Sequence, residues 1–239
     1  MSYDAIAATL TKTLDLDSPP IALAFADAEA GRAVAGEGKR APSACSFWRN
    51  AETGVFYAPA EAHFGCPVGA MVMGFDLPKA ISDELMELVG TMGKCGYISA
   101  DEPGQIPTSK VRRQGIVYGP LAQFPMEPHV VLCWLTPFQA MIWNEADGGA
   151  VWKADSPSIV FGRPACAALP AGMALNRPVM SLGCMGMRTF TEVARDRLLA
   201  AVPGSRLQTF ADALASMRNI NDGMASFYLS RKENFANSA

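Results

Sequence analysis

The longest apolar stretch of the chain, VVLCWLTPFQAMIW (130–143), is interrupted at its centre by Thr136-Pro137. The interruption constrains the fold more than the apolar residues around it. Proline costs a hydrogen bond inside a strand or a helix, yet it suits the first helical position. Thr136, three residues ahead of Gln139, forms a capping box. The stretch therefore reads as a buried strand, HVVLCWL (129–135), followed by a helix over 137–146 that Gly148-Gly149 ends. Neither half is long enough to span a bilayer, so no membrane partner is expected.

Similar punctuation divides the rest of the chain. Tyr3, Ile6, Leu10 and Leu14 recur at helical spacing, predicting a helix over 3–14 that Ser18-Pro-Pro20 stops. IALAF (21–25), GVFYA (54–58) and IVYG (116–119) read as strands, and 27–44 as a surface loop. A small-residue, Met-rich segment follows Cys66 over 67–73, and a helix is expected over 79–92. The polar segment 99–115 reads as a loop. A second capping box, Thr189-Phe-Thr-Glu192, predicts a helix to about 201. Residues 206–236 read as mostly helical. Strands and helices that do not alternate regularly, with no long linker, indicate a single α+β domain over 1–239, with a mixed sheet and flanking helices.

Charge and motifs exclude several functions. A net charge of −3 with no run of Lys and Arg argues against nucleic acid; Lys110-Val-Arg-Arg113 reads as a solvated loop. The beginning, MSYDAIAATL, has an acid and no base, unlike a secretory leader, so a cytoplasmic location is expected. Phosphate-loop, dinucleotide-binding and nucleophile-elbow motifs are absent from the sequence. Only His63 and His129 could activate a nucleophile, and His129 reads as a strand-edge residue.

The six cysteines say more. Cys45 (PSACSFW), Cys66 (HFGCPVGA), Cys166 (RPACAAL) and Cys184 (SLGCMGMR) stand beside Pro, Gly or Ala, where a backbone can bend around a bound group. Cys133 lies inside an apolar strand, and Cys95 reads as a helix-end residue. In a reducing compartment such thiols are buried packing groups, ligands or catalysts rather than a disulfide framework. Four thiolates suit a tetrahedral zinc or a [4Fe–4S] cluster, although no C-x-x-C pair is present. His63-x-x-Cys66 is a smaller ligand pair. Arg188 precedes the helix expected from Thr189, where a cation opposes the helix dipole and requires a partner, either a carboxylate or an anionic ligand.

These segments together resemble the "domain of unknown function 169" family. The resemblance runs from Pro20-Ile-Ala-Leu-Ala-Phe through Ala44-Cys45, Gly65-Cys66-Pro-Val-Gly69, HVVLCWLTPFQAM and Arg163-Pro-Ala-Cys166 to Gly183-Cys184-Met-Gly186-Met-Arg188. It implies cysteines at positions 45, 66, 166 and 184 and does not require Cys95 or Cys133. Val68 departs from the family's Cys-Pro-Gly-Gly-type segment, whereas Cys184, Gly186 and Arg188 match its Cys-x-Gly-x-Arg.

The expectation is a site in which Cys45, Cys66, Cys166 and Cys184 bind an iron–sulfur cluster, with zinc the alternative, in redox chemistry or beside a small anionic ligand. Amides of Gly69, Gly183 and Gly186 would donate to sulfur, and Arg188 would neutralise charge. The competing expectation is a ligand-binding protein. Its pocket would be lined by some of the thirteen methionines and by Trp48, Trp134, Trp143 and Trp152, with structural cysteines.

Overall fold

The computed structural model describes residues 2–148 and 159–237; Gly149 and Trp152 lie outside the described residues. Its framework is a sheet built from β1 (Ile21–Ala26), β2 (Phe56–Pro59), β3 (Gly115–Pro120), β4 (Val130–Leu135), β5 (Val160–Phe161), β6 (Val179–Ser181) and β7 (Leu198–Pro203). Among the described residues the spatial order is β2-β3-β1-β4-β7-β6-β5. Neighbours are antiparallel except for β5 with β6, so the sheet is mixed.

Every residue of β1, β3 and β4 is buried. An antiparallel strand with one wet face alternates apolar and polar residues; these do not, because both faces of the sheet are covered. Alternation survives in where each side chain points. Ile21, Leu23, Phe25, Tyr118, Leu132 and Trp134 enter one core. Ala22, Ala24, Val117, Val131, Cys133 and Leu135 enter the other. The second core is closed by α1 (Tyr3–Leu14), α6 (Pro137–Ala146) and the start of α9 (Leu207–Asn237). The first is closed by shorter pieces: α3 (Ser46–Asn50), α4 (Pro67–Val72), α7 (Ala168–Leu175) and α8 (Met185–Thr191). The result is a single α+β domain with helices on both faces.

Helix α6 has the full capping box. Thr136 Oγ1 accepts the Gln139 N–H at 3.3 Å, and the Gln139 side chain accepts the Thr136 N–H at 2.7 Å. Two expectations are corrected. Residues 27–44 contain α2 (Ala28–Val34), whose Gly31 lets the helix rest on the Tyr57 ring. The helix expected from Thr189 does not exist: Thr189 lies within α8, which Glu192 ends in the left-handed region at φ 52°. Residues 198–203 are strand β7, in register with β4 through Val131↔Val202 and Cys133↔Ala200. Pairing in a fully covered sheet overrides the helical preference of its Leu and Ala residues. Beyond α4, helix α5 (Lys79–Lys94) buries only Leu85 among its residues. No helix among the described residues is long and apolar enough to cross a membrane.

Candidate functional site

Each of the four cysteines singled out by its flanks leads into a helical segment of the same core. Cys45 immediately precedes α3, Cys66 caps α4, Cys184 caps α8, and Cys166 lies in a helical turn, Ala165–Ala167, that runs into α7. α3 packs against α8, and α4 against the turn Ala165–Ala167. The four sulfurs lie near enough to one another that a charge on one acts on the others, in each of the six pairings. Cys45 and Cys166 are buried, the inner pair; Cys66 and Cys184 are partly exposed, the outer pair.

Cys133 is also buried, but it enters the core on the opposite face of the sheet, and burial alone pushes its thiol up to about 12. Cys95 is exposed, at the end of α5.

Burial raises the thiols of Cys45, Cys66 and Cys166, and the neighbouring sulfurs raise them further. Backbone amides act in the opposite sense. The Gly69 N–H lies 3.3 Å from Cys66 Sγ and the Met187 N–H 3.4 Å from Cys184 Sγ. The amide of Ala44 also serves Cys66, and those of Cys166 and Ala167 serve Cys166. The Gly69 amide thus reaches sulfur. A Cβ there would meet the Ala44 Cβ at 2.8 Å, so glycine also lets α4 approach the segment that carries Cys45. Gly183 acts differently: its amide donates to Ser181 Oγ at 3.1 Å, and its φ of 91° turns the chain into Cys184. At Cys184 the donating amide is that of Met187, one residue beyond Gly186.

Arg188 has a partner, though neither kind expected. Its guanidinium donates to the carbonyls of Leu182 and Arg197 at 2.8 Å, and to those of Ala194 and Arg195 at 3.3 and 3.5 Å. It lies towards the end of α8 rather than ahead of a helix, where a cation is favourable. There it ties together the loop between α8 and β7.

Both ring nitrogens of His63 have partners other than Cys66. The ring is completely buried, with Nδ1 at the Pro59 carbonyl and Nε2 at the Tyr118 hydroxyl, both at 2.9 Å. Tyr118, which sequence reasoning missed, is buried, and burial first and then the neighbouring Cys45 and Cys166 push its hydroxyl pKa up. His129 is half-buried at a strand edge, as expected, and its Nδ1 accepts the Phe25 N–H at 3.2 Å.

The family model described as DUF169, uncharacterised ArCR, matches residues 9–213. The chain belongs to this family. The match covers Cys45, Cys66, Cys166 and Cys184 as well as Tyr118 and His63, and it stops within α9. No curated protein and no solved structure matches this DUF169 chain.

Among the described residues, no group of three or more His, Cys, Asp or Glu side chains is disposed to hold a single metal ion. The set is four thiols, with backbone amides donating to the sulfurs of Cys66 and Cys184. Two clefts lie elsewhere. One, of about 260 Å³, is lined by residues including Asp17, Arg49, Glu52, Trp134 and Arg197. Another, of about 420 Å³, includes His129 and Met173. Trp48 and Trp143 are buried in opposite cores, so the described tryptophans do not line one pocket.

Proposed function

We propose that Cys45, Cys66, Cys166 and Cys184 hold an iron–sulfur cluster and that the protein works in electron transfer or redox chemistry. The observation that carries this is the mutual proximity of four thiols, and only these four of the six, at the starts of four helical segments.

When bound, a cluster supplies reversible one-electron chemistry. The chain supplies the rest. Cys45 and Cys166 bind on the dry side, and the amides of Gly69 and Met187 offset charge on the outer sulfurs. The partly exposed Cys66 and Cys184 set the side from which an electron or a small ligand approaches.

The test is iron and sulfide content, with the visible absorption spectrum, of protein purified or reconstituted anaerobically. Cys66→Ser and Cys184→Ser are expected to lose bound iron while folding normally, because serine still accepts the capping amide but is a poor ligand for soft metals. Cys133→Ser should retain iron and lower the melting temperature. Equal iron in Cys184→Ser and the parent, or none in the parent, would overturn the reading.

A further inference from the structure

Segments far apart in the chain meet at the cleft of about 260 Å³. Asp17 precedes β1, Arg49 and Glu52 stand at the end of α3, Trp134 lies in β4, and Glu192 and Arg197 belong to the loop between α8 and β7. Polar bonds between these segments fix the walls. Arg197 pairs with Asp17 at 2.6 Å across 180 positions, and Arg188 holds the carbonyls of Ala194 and Arg197. The indole N–H of Trp134 donates to Glu52 Oε1 at 3.1 Å.

Glu52 is the group with capacity to spare. Its side chain is only 14% exposed, and burial raises its carboxyl above the ordinary value against the pull of Arg49 and of the indole. An ionised carboxylate offers about four lone-pair sites, and a half-buried charge is costly unless they are used. Both donors, Arg49 Nη1 and Trp134 Nε1, reach the same oxygen, Oε1, so among the described residues Oε2 receives none. The lining also carries an excess of acid. Asp17, Glu52 and Glu192 stand against Arg49 and Arg197, and Arg197 is shared with Asp196 as well. Among the described residues these carboxylates form no metal-holding group. They are spread along a cleft whose lining includes Val193 and Ala194, which suits a ligand with a hydrocarbon body.

We infer that this cleft binds a small organic cation, a primary ammonium or guanidinium compound, whose N–H groups donate to Glu52 Oε2 while its apolar part lies against Val193 and Ala194. The site stands whatever the four cysteines hold. Arg49 is then a rival for Glu52 rather than a contact for the ligand, and its side chain, 41% exposed, has solvent to move into.

The probes are n-butylamine and butylguanidine, with n-butanol and butyrate as neutral and anionic counterparts, each titrated into the full chain labelled with nitrogen-15. The readouts are the Trp134 indole N–H resonance and the backbone amides of Val193 and Ala194. Both cations should shift them saturably, and the alcohol and the carboxylate should not at the same concentration. Glu52→Gln keeps an oxygen for the indole but no charge, and should weaken butylamine binding roughly tenfold. Arg49→Ala removes the rival and should tighten it. Shifts from n-butanol or butyrate as large as those from the cations overturn the inference, as does the absence of a shift with every probe. Unchanged affinity in Glu52→Gln overturns it too, and weaker binding in Arg49→Ala would show a site for an anionic group instead. If Glu52→Gln does not fold, the four probes and Arg49→Ala decide.

Discussion

A charge on His63 is costly for this fold to hold. Burial lowers its pKa from 6.5 to about 4. As pH falls below about 6.5, the unfolded chain binds a proton that the folded protein refuses until about 4. The stabilisation is therefore complete above 6.5 and drains away towards 4, by about 3 kcal/mol in all. Urea midpoints of the metal-free protein between pH 7 and 4 should show this decline, and His63→Phe should flatten it. The cysteines are ranked by exposure. With iodoacetamide at pH 8, mass spectrometry should find Cys95 labelled first and Cys66 and Cys184 later. Cys45, Cys133 and Cys166 should be labelled only on unfolding. Early labelling of Cys45 or Cys166 would contradict the buried inner side. This division of the cysteines was legible in the sequence, because Pro, Gly and Ala beside a cysteine differ visibly from an apolar run on both sides. Tyr118 was not legible. Its partner His63 lies 55 positions away, and nothing in IVYG distinguishes a tyrosine that packs from one that is held by a hydrogen bond.

At the scale of elements, the two capping boxes make a matched experiment. Thr136→Ala removes a working cap and should cost about 1 kcal/mol. Thr189→Ala, at an exposed position inside α8, should stay within about 0.5 kcal/mol of the parent by thermal or urea unfolding. The second box misled because its Glu192 closes a helix instead of opening one. The true cap is Cys184, whose sulfur accepts the Met187 amide, and cysteine lies outside the Ser, Thr, Asp and Asn pattern by which helix starts are read. α7 left even less trace. Residues 168–172 are all buried, so ALPAGMAL has no polar stripe to reveal a helical period. β1 and β4 were easy for the same reason that α7 was hard: burial on all sides leaves an unbroken apolar run, and run length alone separates strand from helix only when turn residues bound it.

For the molecule as a whole, the family domain and the body of the fold end nearly together. α9 buries Leu207, Phe210, Ala211 and Leu214, then fastens to its neighbours through Arg218 on the Thr13 carbonyl and Asn221 on Glu145. From Asp222 to Asn237 its residues are exposed. A chain ending after Asp222 should melt within about 2 °C of the full chain by circular dichroism, and a larger loss would show that the outer turns support the body. The placement of the four cysteines along the chain has a further consequence, one of timing. Cys45 and Cys66 flank β2, while Cys166 and Cys184 flank β6, on the far side of the central strands β3, β1, β4 and β7. Synthesis proceeds from the N-terminus, so a nascent chain displays two of the four thiols long before the other two exist. The four thiols are together only after β6 has emerged and Cys184 has followed it, so a group that needed all four would meet a nearly finished chain.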